Sequence, residues 1–380
     1  MDFSLTKEQN DIVKAARKFA KGEFPQHALE FDREEKFDLN LWKKACDLGF
    51  VGVFIEERYG GAGYGFFEHC LINEEFWAVE PGIGFAILST TFGAELLSLF
   101  GSEAQKELVL PKLAAGEAII GTAITEPDAG SDVTMAQTTA ALEGDHWVLN
   151  GSKMFATNGT IADYMLVFCK TDPEHSSRHK RHSFILVPTA TPGYRANKIH
   201  GKLGIRASDT AELVFSNLRV PANHLVGTAG EGFAELMAFF NRTRLHICAQ
   251  AVGLGRAALE QAISHVKGRI QFGQPLAAFQ ATQFKIAEMA TRIRAARNLY
   301  YEAAWMADQG RLDHGLVAMG KWFSARVAVE CADEALQMHG GYGYIDEYKV
   351  QRLYRDAKIL EIYEGTKEIE KSIVAKSLLS

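Results

Sequence analysis

Three short apolar runs near the middle of the chain determine the predicted fold class: Tyr164-Met165-Leu166-Val167-Phe168-Cys169, Ser183-Phe184-Ile185-Leu186-Val187 and Ala211-Glu212-Leu213-Val214-Phe215. Each run has the length of a strand and is bounded by turn residues. Glu143-Gly144-Asp145 separates two further runs, and Asn150-Gly151 is a strong turn dipeptide. The pattern predicts a β domain, either a sandwich or a barrel, over residues 119–226.

Helical periodicity occupies the chain on both sides of this β domain. The pairs Thr6/Gln9 and Ser102/Gln105 have the spacing of capping boxes, which mark helix starts. Runs of strands flanked by runs of helices predict an α+β multi-domain protein and exclude an alternating β/α fold. We predict an N-terminal helical domain (1–118), the middle β domain (119–226) and a C-terminal helical bundle (227–380).

The composition narrows the class of protein. With 380 residues, 47% hydrophobic and 23% charged, the chain excludes collagen-like, low-complexity and disordered classes. Its 41 Lys+Arg against 47 Asp+Glu, a net charge of −6, argue against a nucleic-acid partner. Five dispersed cysteines without a CxxC pair predict reduced thiols. No HExxH motif or carboxylate–histidine helix repeat is found, so we predict no metal site.

No apolar run approaches the roughly 20 residues that cross a bilayer, so we predict no membrane span. The first residues lack the basic and then apolar pattern of a secretory signal. We expect a cytoplasmic protein, or a mitochondrial matrix protein if this is a mature eukaryotic form.

One stretch formally fits a dinucleotide-binding fingerprint, Gly253-Leu254-Gly255-Arg256-Ala257-Ala258. A Rossmann site needs a strand before the glycines and an acid about 20 residues later. The window from Gln271 to Gln283 contains no Asp or Glu, and the surroundings are helical. We reject a nicotinamide site and predict close helix packing.

Three loop motifs remain. Thr125-Glu126-Pro127-Asp128-Ala129-Gly130-Ser131-Asp132 fits ordinary turn chemistry or a loop whose N–H groups bind an anion. In Gln337-Met338-His339-Gly340-Gly341-Tyr342-Gly343-Tyr344, the glycines allow close backbone approach to a ligand or to another element. Tyr363-Glu364-Gly365-Thr366 is a short break in which Thr366 caps a final helix. The simplest interpretation of Glu364 is a solvated loop carboxylate.

These motifs and the helix–strand–helix order make the chain resemble an acyl-CoA dehydrogenase over its whole length. The Gly340–Asp356 stretch fits the family pattern at every specified position. The Thr125–Asp132 stretch fits as far as Asp132, although Met135 stands where a small residue is usual. The resemblance implies a noncovalent FAD between the β domain and the C-terminal helices.

The resemblance also implies the cofactor-binding residues, which are Ile124, Thr125, Gly130, Ser131, Phe155, Thr157, Arg269, Phe272, Gln280, Gln337, Gly341, Thr366 and Glu368. Ile124 and Thr125 match positions at the isoalloxazine, Ser131 the pyrophosphate, and Thr157 a group near flavin N5. Phe155 falls where relatives often place Trp, and a core aromatic is the alternative.

Five of these positions, Arg269, Phe272, Gln280, Gln337 and Gly341, match residues that reach the FAD of a neighbouring subunit. The resemblance therefore implies at least a dimer, and a homotetramer built as a dimer of dimers is expected. The alternative for Arg269 is a cation at a helix C-terminus.

The implied reaction converts an acyl-CoA thioester to the trans-2-enoyl-CoA. Glu364 matches the base that removes the α-proton, and desolvation is expected to raise its pKa. Its backbone N–H and a flavin ribityl hydroxyl would bind the thioester oxygen while flavin N5 accepts the β-hydride. Some relatives carry the base at the position of Thr243, so a threonine there supports Glu364.

The resemblance assigns substrate binding to Ser131, Arg244, Tyr363 and Gly365, with a helix-surface arginine as the alternative for Arg244. Electrons are expected to pass to an electron-transferring flavoprotein. An acyl-CoA oxidase and a non-catalytic FAD-binding scaffold are the competing functions.

The acyl group cannot be predicted from the sequence. The resemblance disfavours glutaryl-CoA as the substrate. Family members that use it carry an arginine for its distal carboxylate near the segment equivalent to Pro81–Thr91, and this segment contains none. The basic cluster 175–182 between two predicted strands is expected to be a solvated hairpin tip, and contact with CoA phosphates is the alternative.

Overall fold

The computed structural model describes residues 4–379. The N-terminal helices are α1 (Lys7–Glu23), α2 (Ala28–Glu34), α3 (Leu39–Asp47), α4 (Phe66–Val79), α5 (Pro81–Leu88), α6 (Ala94–Phe100) and α7 (Glu103–Ala114). The middle strands are β1 (Ile120–Ala123), β2 (Thr139–Glu143), β3 (His146–Thr157), β4 (Tyr164–Lys170), β5 (His182–Pro188), β6 (Tyr194–Lys198), β7 (Thr210–Pro221) and β8 (Leu225–Val226). The chain continues with α8 (Gly232–Gly268), β9 (Ile270–Gln271), β10 (Gln274–Pro275), α9 (Gln280–Asp308), α10 (His314–His339), α11 (Lys349–Ala357) and α12 (Lys367–Leu379).

The predicted helix–strand–helix fold class is confirmed, and both capping boxes form as expected. The three quoted apolar runs lie in β4, β5 and β7. The boundaries 1–118, 119–226 and 227–380 stay a prediction.

Strands β1 to β8 form one hydrogen-bonded sheet with the order β6-β7-β3-β2-β4-β5-β8, and β1 pairs with β4. Its two halves are joined between β2 and β4 by the single pair Thr139 and Lys170. Leu149 and Leu213 from one half share a buried apolar cluster with Met165 and Val187 from the other. The halves therefore pack around a common core, in the manner of a sandwich.

The predicted turn at Asn150-Gly151 is wrong. Both residues lie inside β3, where a register shift against β7 marks a bulge and Gly151 has φ +143°. A Cβ on Gly151 would lie 2.7 Å from Thr138 Cα. Gly151 therefore allows close packing at a strand bulge, and the sequence Asn-Gly alone does not distinguish such a bulge from a turn.

Helices α4 and α8 form the centre of the helical part. Nearly every residue of α4 is buried, and the helix packs against α1, α8 and α9. A Cβ on Gly253 of α8 would lie 2.4 Å from the Glu74 carbonyl oxygen of α4. The glycine motif in α8 thus allows close helix packing, as predicted. Within residues 4–379, no helix combines the length and apolar character needed to cross a membrane.

Candidate active site

Glu364 lies in a strained turn immediately before α12. Its φ is +52°, and Gly365 follows with φ +108°. A Cβ on Gly365 would lie 2.2 Å from Oε1 of Glu370, so only glycine fits there. A non-glycine residue in this backbone region costs on the order of 1–3 kcal/mol and persists only where surrounding contacts hold it.

Contacts from α8 and α10 hold this turn in place. The Thr243 hydroxyl donates a hydrogen bond to the Glu364 carboxylate. Arg244 Nε donates to the Glu364 carbonyl oxygen at 2.9 Å, and Lys321 Nζ donates to the carbonyl oxygen of Gly365. The solvated-carboxylate interpretation of Glu364 is therefore wrong, because its side chain is partly buried and bound to α8.

The charges around the turn form a buried group of two acids and two bases. Burial raises the pKa of Glu364 to about 7, although the Thr243 hydrogen bond and the Arg244 and Lys321 cations oppose the rise. Burial also raises the pKa of Glu370 to about 7 and lowers that of Lys321 to about 8. Glu364 is therefore a stronger base than an exposed carboxylate.

Lys321 and Glu370 were not predicted as site residues. Both side chains are fully buried. Lys321 lies among small apolar residues on α10. A single charged residue on such a helix face is unusual, and this feature of the sequence could have identified it. Glu370 lies about one turn beyond the break, on a polar stretch that offers no signal.

Two residues predicted to bind substrate are held by protein contacts. Arg244 is buried and lies 3.0 Å from Glu370 through Nε, so the helix-surface interpretation is wrong. The Tyr363 hydroxyl donates to Oε1 of Gln250 at 2.6 Å. Gly365 lies in the turn that carries Glu364. Ser131 is exposed on the loop 125–132, together with Gly130. Substrate contact by these residues stays a prediction.

The predicted flavin loop is anchored by a buried ion pair that was not predicted. Lys153 Nζ contacts Glu126 Oε1 at 2.8 Å and the Ile124 carbonyl oxygen at 2.9 Å. The Glu126 carboxylate also accepts the N–H groups of Gln137 and Thr138. These bonds fix the backbone that carries Ile124, which is buried, and Thr125, which is partly exposed.

Phe155 protrudes from a bulge in β3. Phe155 is 63% exposed and its φ is +58°. Between Lys153 and Ala156, β3 has one residue more than the paired segment of β7. The core-aromatic alternative is therefore wrong. An exposed aromatic on a strained backbone suits stacking on a planar ring. Thr157 follows two residues later and is partly exposed.

A cleft of about 530 Å³ lies between the end of α8 and the end of α10. Arg269, Gln337 and Gly341 line it, so the fold brings together three of the five residues predicted to reach a neighbouring FAD. Arg269 also lies over the Tyr342 ring, 5.6 Å from its centroid. Phe272 is 94% exposed, and neither Phe272 nor Gln280 lines this cleft.

The last two predicted cofactor residues lie at the start of α12. The Thr366 hydroxyl accepts a hydrogen bond from the Ile369 N–H at 3.4 Å, which confirms the predicted cap. Glu368 is exposed. Cofactor contact by either residue stays a prediction.

The basic cluster 175–182 is not wholly a solvated tip. His182 begins β5, is fully buried and stacks on Phe168. Arg178 is exposed and lies 3.6 Å from Asp132, beside Ser131 in the predicted flavin loop. Contact of the exposed cations with CoA phosphates stays a prediction.

Comparisons with known proteins identify the family of this chain. The chain matches the N-terminal, middle and C-terminal domains of acyl-CoA dehydrogenase over residues 6–117, 121–218 and 230–379. An acyl-CoA dehydrogenase of Bacillus subtilis is 42% identical, over 99% of both chains. Butyryl-CoA dehydrogenase from Megasphaera elsdenii superposes with a TM-score of 0.96 at 38% identity, over 100% of both chains.

A chain in a solved structure of the electron transferring flavoprotein of Acidaminococcus fermentans superposes with a TM-score of 0.97. It is 39% identical over 100% of both chains.

This chain belongs to the acyl-CoA dehydrogenase family. It is an FAD-dependent oxidoreductase that acts on acyl-CoA thioesters. The residues present fit the cofactor, since Phe155 presents an exposed aromatic face and the loop at Ser131 leaves small, exposed residues for a phosphate. Within residues 4–379, no group of three His, Cys, Asp or Glu side chains is arranged to hold a metal ion.

Proposed function

We propose that the protein catalyses α,β-dehydrogenation of an acyl-CoA to the trans-2-enoyl-CoA, with Glu364 as the base that removes the α-proton. The observation that carries this proposal is the position of the Glu364 carboxylate, which is held against Thr243 in a strained turn. Burial raises its pKa to about 7, which strengthens the base and still leaves much of it unprotonated at neutral pH.

The turn also supplies a hydrogen-bond donor for the substrate. Within residues 4–379, the Glu364 N–H has no backbone acceptor. Arg244 and Lys321 hold the carbonyl oxygens of Glu364 and Gly365, which fixes the two peptide groups that follow this N–H. A thioester oxygen bound there would gain charge stabilisation as the α-proton leaves.

We assign Ile124, Thr125, Ser131, Phe155 and Thr157 to the face that holds the cofactor in the same subunit. When bound, FAD supplies the two-electron acceptor for the hydride that leaves the β-carbon. The exposed Phe155 ring and the anchored loop support this assignment.

We further propose a dimer of dimers in which Arg269, Gln337 and Gly341 contact the FAD of a neighbouring subunit. The cleft that these three residues share supports it. The 94% exposed Phe272 and the exposed Gln280 are available to the same neighbour.

We propose an electron-transferring flavoprotein as the electron acceptor, supported by the likeness to a chain in the A. fermentans structure. The acyl-CoA oxidase alternative predicts that the reduced enzyme reacts rapidly with oxygen. The scaffold alternative predicts no reduction of FAD by any acyl-CoA.

The decisive test is Glu364→Gln, with Glu370→Gln as the matched control in the same charge cluster. We expect Glu364→Gln to retain FAD but to lose at least about 10²–10⁴-fold in the rate of anaerobic FAD reduction by acyl-CoA, the usual contribution of a general base. Glu370→Gln should keep most of that rate. Normal reduction by the Glu364→Gln enzyme would refute the assignment.

A further inference from the structure

Two histidines and a glutamate converge beside the proposed base. His246 follows Thr243 by three residues, so it lies on the same face of α8 about one turn, or roughly 5 Å, along the axis. The His69 ring from α4 lies 4.3 Å from the His246 ring between centroids. Glu95 from α6 has Oε1 at 3.8 Å from His246 Nδ1. All three side chains are buried, and we call them the histidine layer.

The histidine layer has buried polar atoms without partners. His69 Nδ1 and His246 Nε2 are inaccessible to solvent and make no hydrogen bond within residues 4–379. The rings of Phe54 and Phe66 pack against these imidazoles and offer no polar atom. A buried polar group without a partner loses its hydration and gains no bond in return, so the layer is unfavourable unless something bonds to it.

The next layer along the same two helices is bonded differently. One turn further, Asn73 of α4 accepts from Nε2 of Gln250 of α8 at 3.1 Å. The Gln250 carbonyl accepts from the Tyr363 hydroxyl at 2.6 Å. Asn73 and Gln250 thus satisfy each other across α4 and α8, whereas His69 Nδ1 and His246 Nε2 stay unpaired.

The position of the layer indicates which part of a substrate reaches it. Coenzyme A is large and charged and must extend to solvent. The histidine layer is buried and closed by α4, α6 and the two phenylalanines. Only the end of an acyl group could be enclosed there while its α-carbon lies at Glu364.

We propose that the histidine layer recognises a neutral hydrogen-bonding group, a hydroxyl or carbonyl, on the acyl group of the substrate. This inference rests on the proposed acyl-CoA dehydrogenation and names its substrate class. A hydroxyl donates to one ring nitrogen and accepts from a second donor, so it satisfies two unpaired groups at once.

The electrostatics favour a neutral group over a carboxylate. Burial lowers the pKa of His69 to about 3 and holds that of His246 well below its usual range. Burial, with a contribution from the Glu364 charge, raises the pKa of Glu95 to about 8. At neutral pH the layer therefore carries little charge. An acyl carboxylate would meet two neutral imidazoles there and would face the Glu95 carboxyl.

The test compares matched acyl-CoA thioesters on the FAD-loaded enzyme. For each of several short chain lengths, the chain ends in a hydroxyl, a methyl or a carboxylate, and the apparent second-order rate constant for anaerobic FAD reduction is measured. We expect the best hydroxyl-ended substrate to exceed its methyl-ended partner by at least about tenfold. A site built to bond a hydroxyl rejects the analogue that lacks it, whereas an apolar pocket discriminates weakly.

Variants locate the preference. His246→Leu and His69→Phe should abolish or reverse it, and His246→Gln, which keeps a donor and an acceptor, should retain part of it. Asn73→Leu in the adjacent layer is the matched control and should leave the preference unchanged while lowering stability. FAD content and melting temperature of every variant show that the fold is retained.

The outcomes separate this inference from the proposed function. If no acyl-CoA reduces the enzyme, the dehydrogenase function fails, and the inference fails with it. If methyl-ended or carboxylate-ended substrates are preferred at every length, only the inference fails. Binding titrations on the Glu364→Gln enzyme, followed by flavin absorbance, give the same preference without turnover. A hydroxyl preference that is unchanged in His246→Leu and His69→Phe also overturns the inference about the histidine layer.

Discussion

Two carboxylates in this protein, Glu126 and Glu364, are both withdrawn from water and have opposite properties. Burial by itself would raise the pKa of both. For Glu126, the Lys153 charge and hydrogen bonds from Gln137, Lys153 and Thr138 outweigh burial and hold the pKa below its usual range. For Glu364, one hydroxyl and two cations do not outweigh burial, and the pKa rises to about 7.

The difference lies in where the nearby cations are directed. Lys153 Nζ contacts the Glu126 carboxylate directly at 2.8 Å. Arg244 and Lys321 donate instead to the backbone carbonyls of Glu364 and Gly365. Direct pairing produces a permanent anion that anchors a loop, whereas cations bound to the backbone fix a turn and leave its carboxylate able to accept a proton.

The largest expected effect is on stability, from Lys153→Met. This change leaves Glu126 buried without its cation, which costs about 3–5 kcal/mol. We expect a lower denaturation midpoint and loss of bound FAD, since the loop carrying Ile124 and Thr125 loses its anchor. The double variant Lys153→Met/Glu126→Gln should recover much of the midpoint. A Lys153→Met protein as stable as the wild type would show that the two carboxylates are not held differently.

The second effect concerns the acid limb of the pH profile. Because Glu364 must be unprotonated to act, kcat/KM should fall as the pH drops through about 7. Thr243→Val removes a hydrogen bond that favours the carboxylate, so the limb should move up by about one pH unit, equivalent to ~1.4 kcal/mol. Thr243→Ser keeps the hydroxyl and should keep the limb in place. A limb that does not respond to Thr243→Val contradicts the proposed base.

The smallest effect is expected from Glu370→Gln. The Glu370 charge raises the pKa of Glu364, so its removal should shift the acid limb down, by about half a pH unit or less. The rate above the limb should be close to that of the wild type. An upward shift would mean that Glu370 acts on the turn through Arg244 and not through its charge.

Much of the fold could be predicted from the sequence, because hydrophobic periodicity and the capping and turn residues that bound each element are local features of the chain. The strands at 164–169, 183–187 and 211–215 and the caps at Thr6 and Ser102 formed as predicted. The turn predicted at Asn150-Gly151 was wrong. A glycine that allows a tight turn equally allows a strand bulge and the close approach of Thr138.

The site divides in the same way. The motif at 363–366 predicted the Thr366 cap, and the family resemblance implied Glu364 as the base. Lys153, Lys321 and Glu370 were missed, because each becomes significant only through a partner that is distant in sequence. Arg244 was identified, but its inward orientation was not.

The sequence by itself determined the order of helices and strands, since each element depends on neighbours within a few positions. It also carried the motifs whose resemblance to a family implied the residue offered as the base. Only the tertiary structure decided which carboxylate keeps its charge and which polar atoms stay unpaired. Those properties depend on desolvation and on contacts between α4, α6, α8 and α10, and packing over long sequence separations sets both.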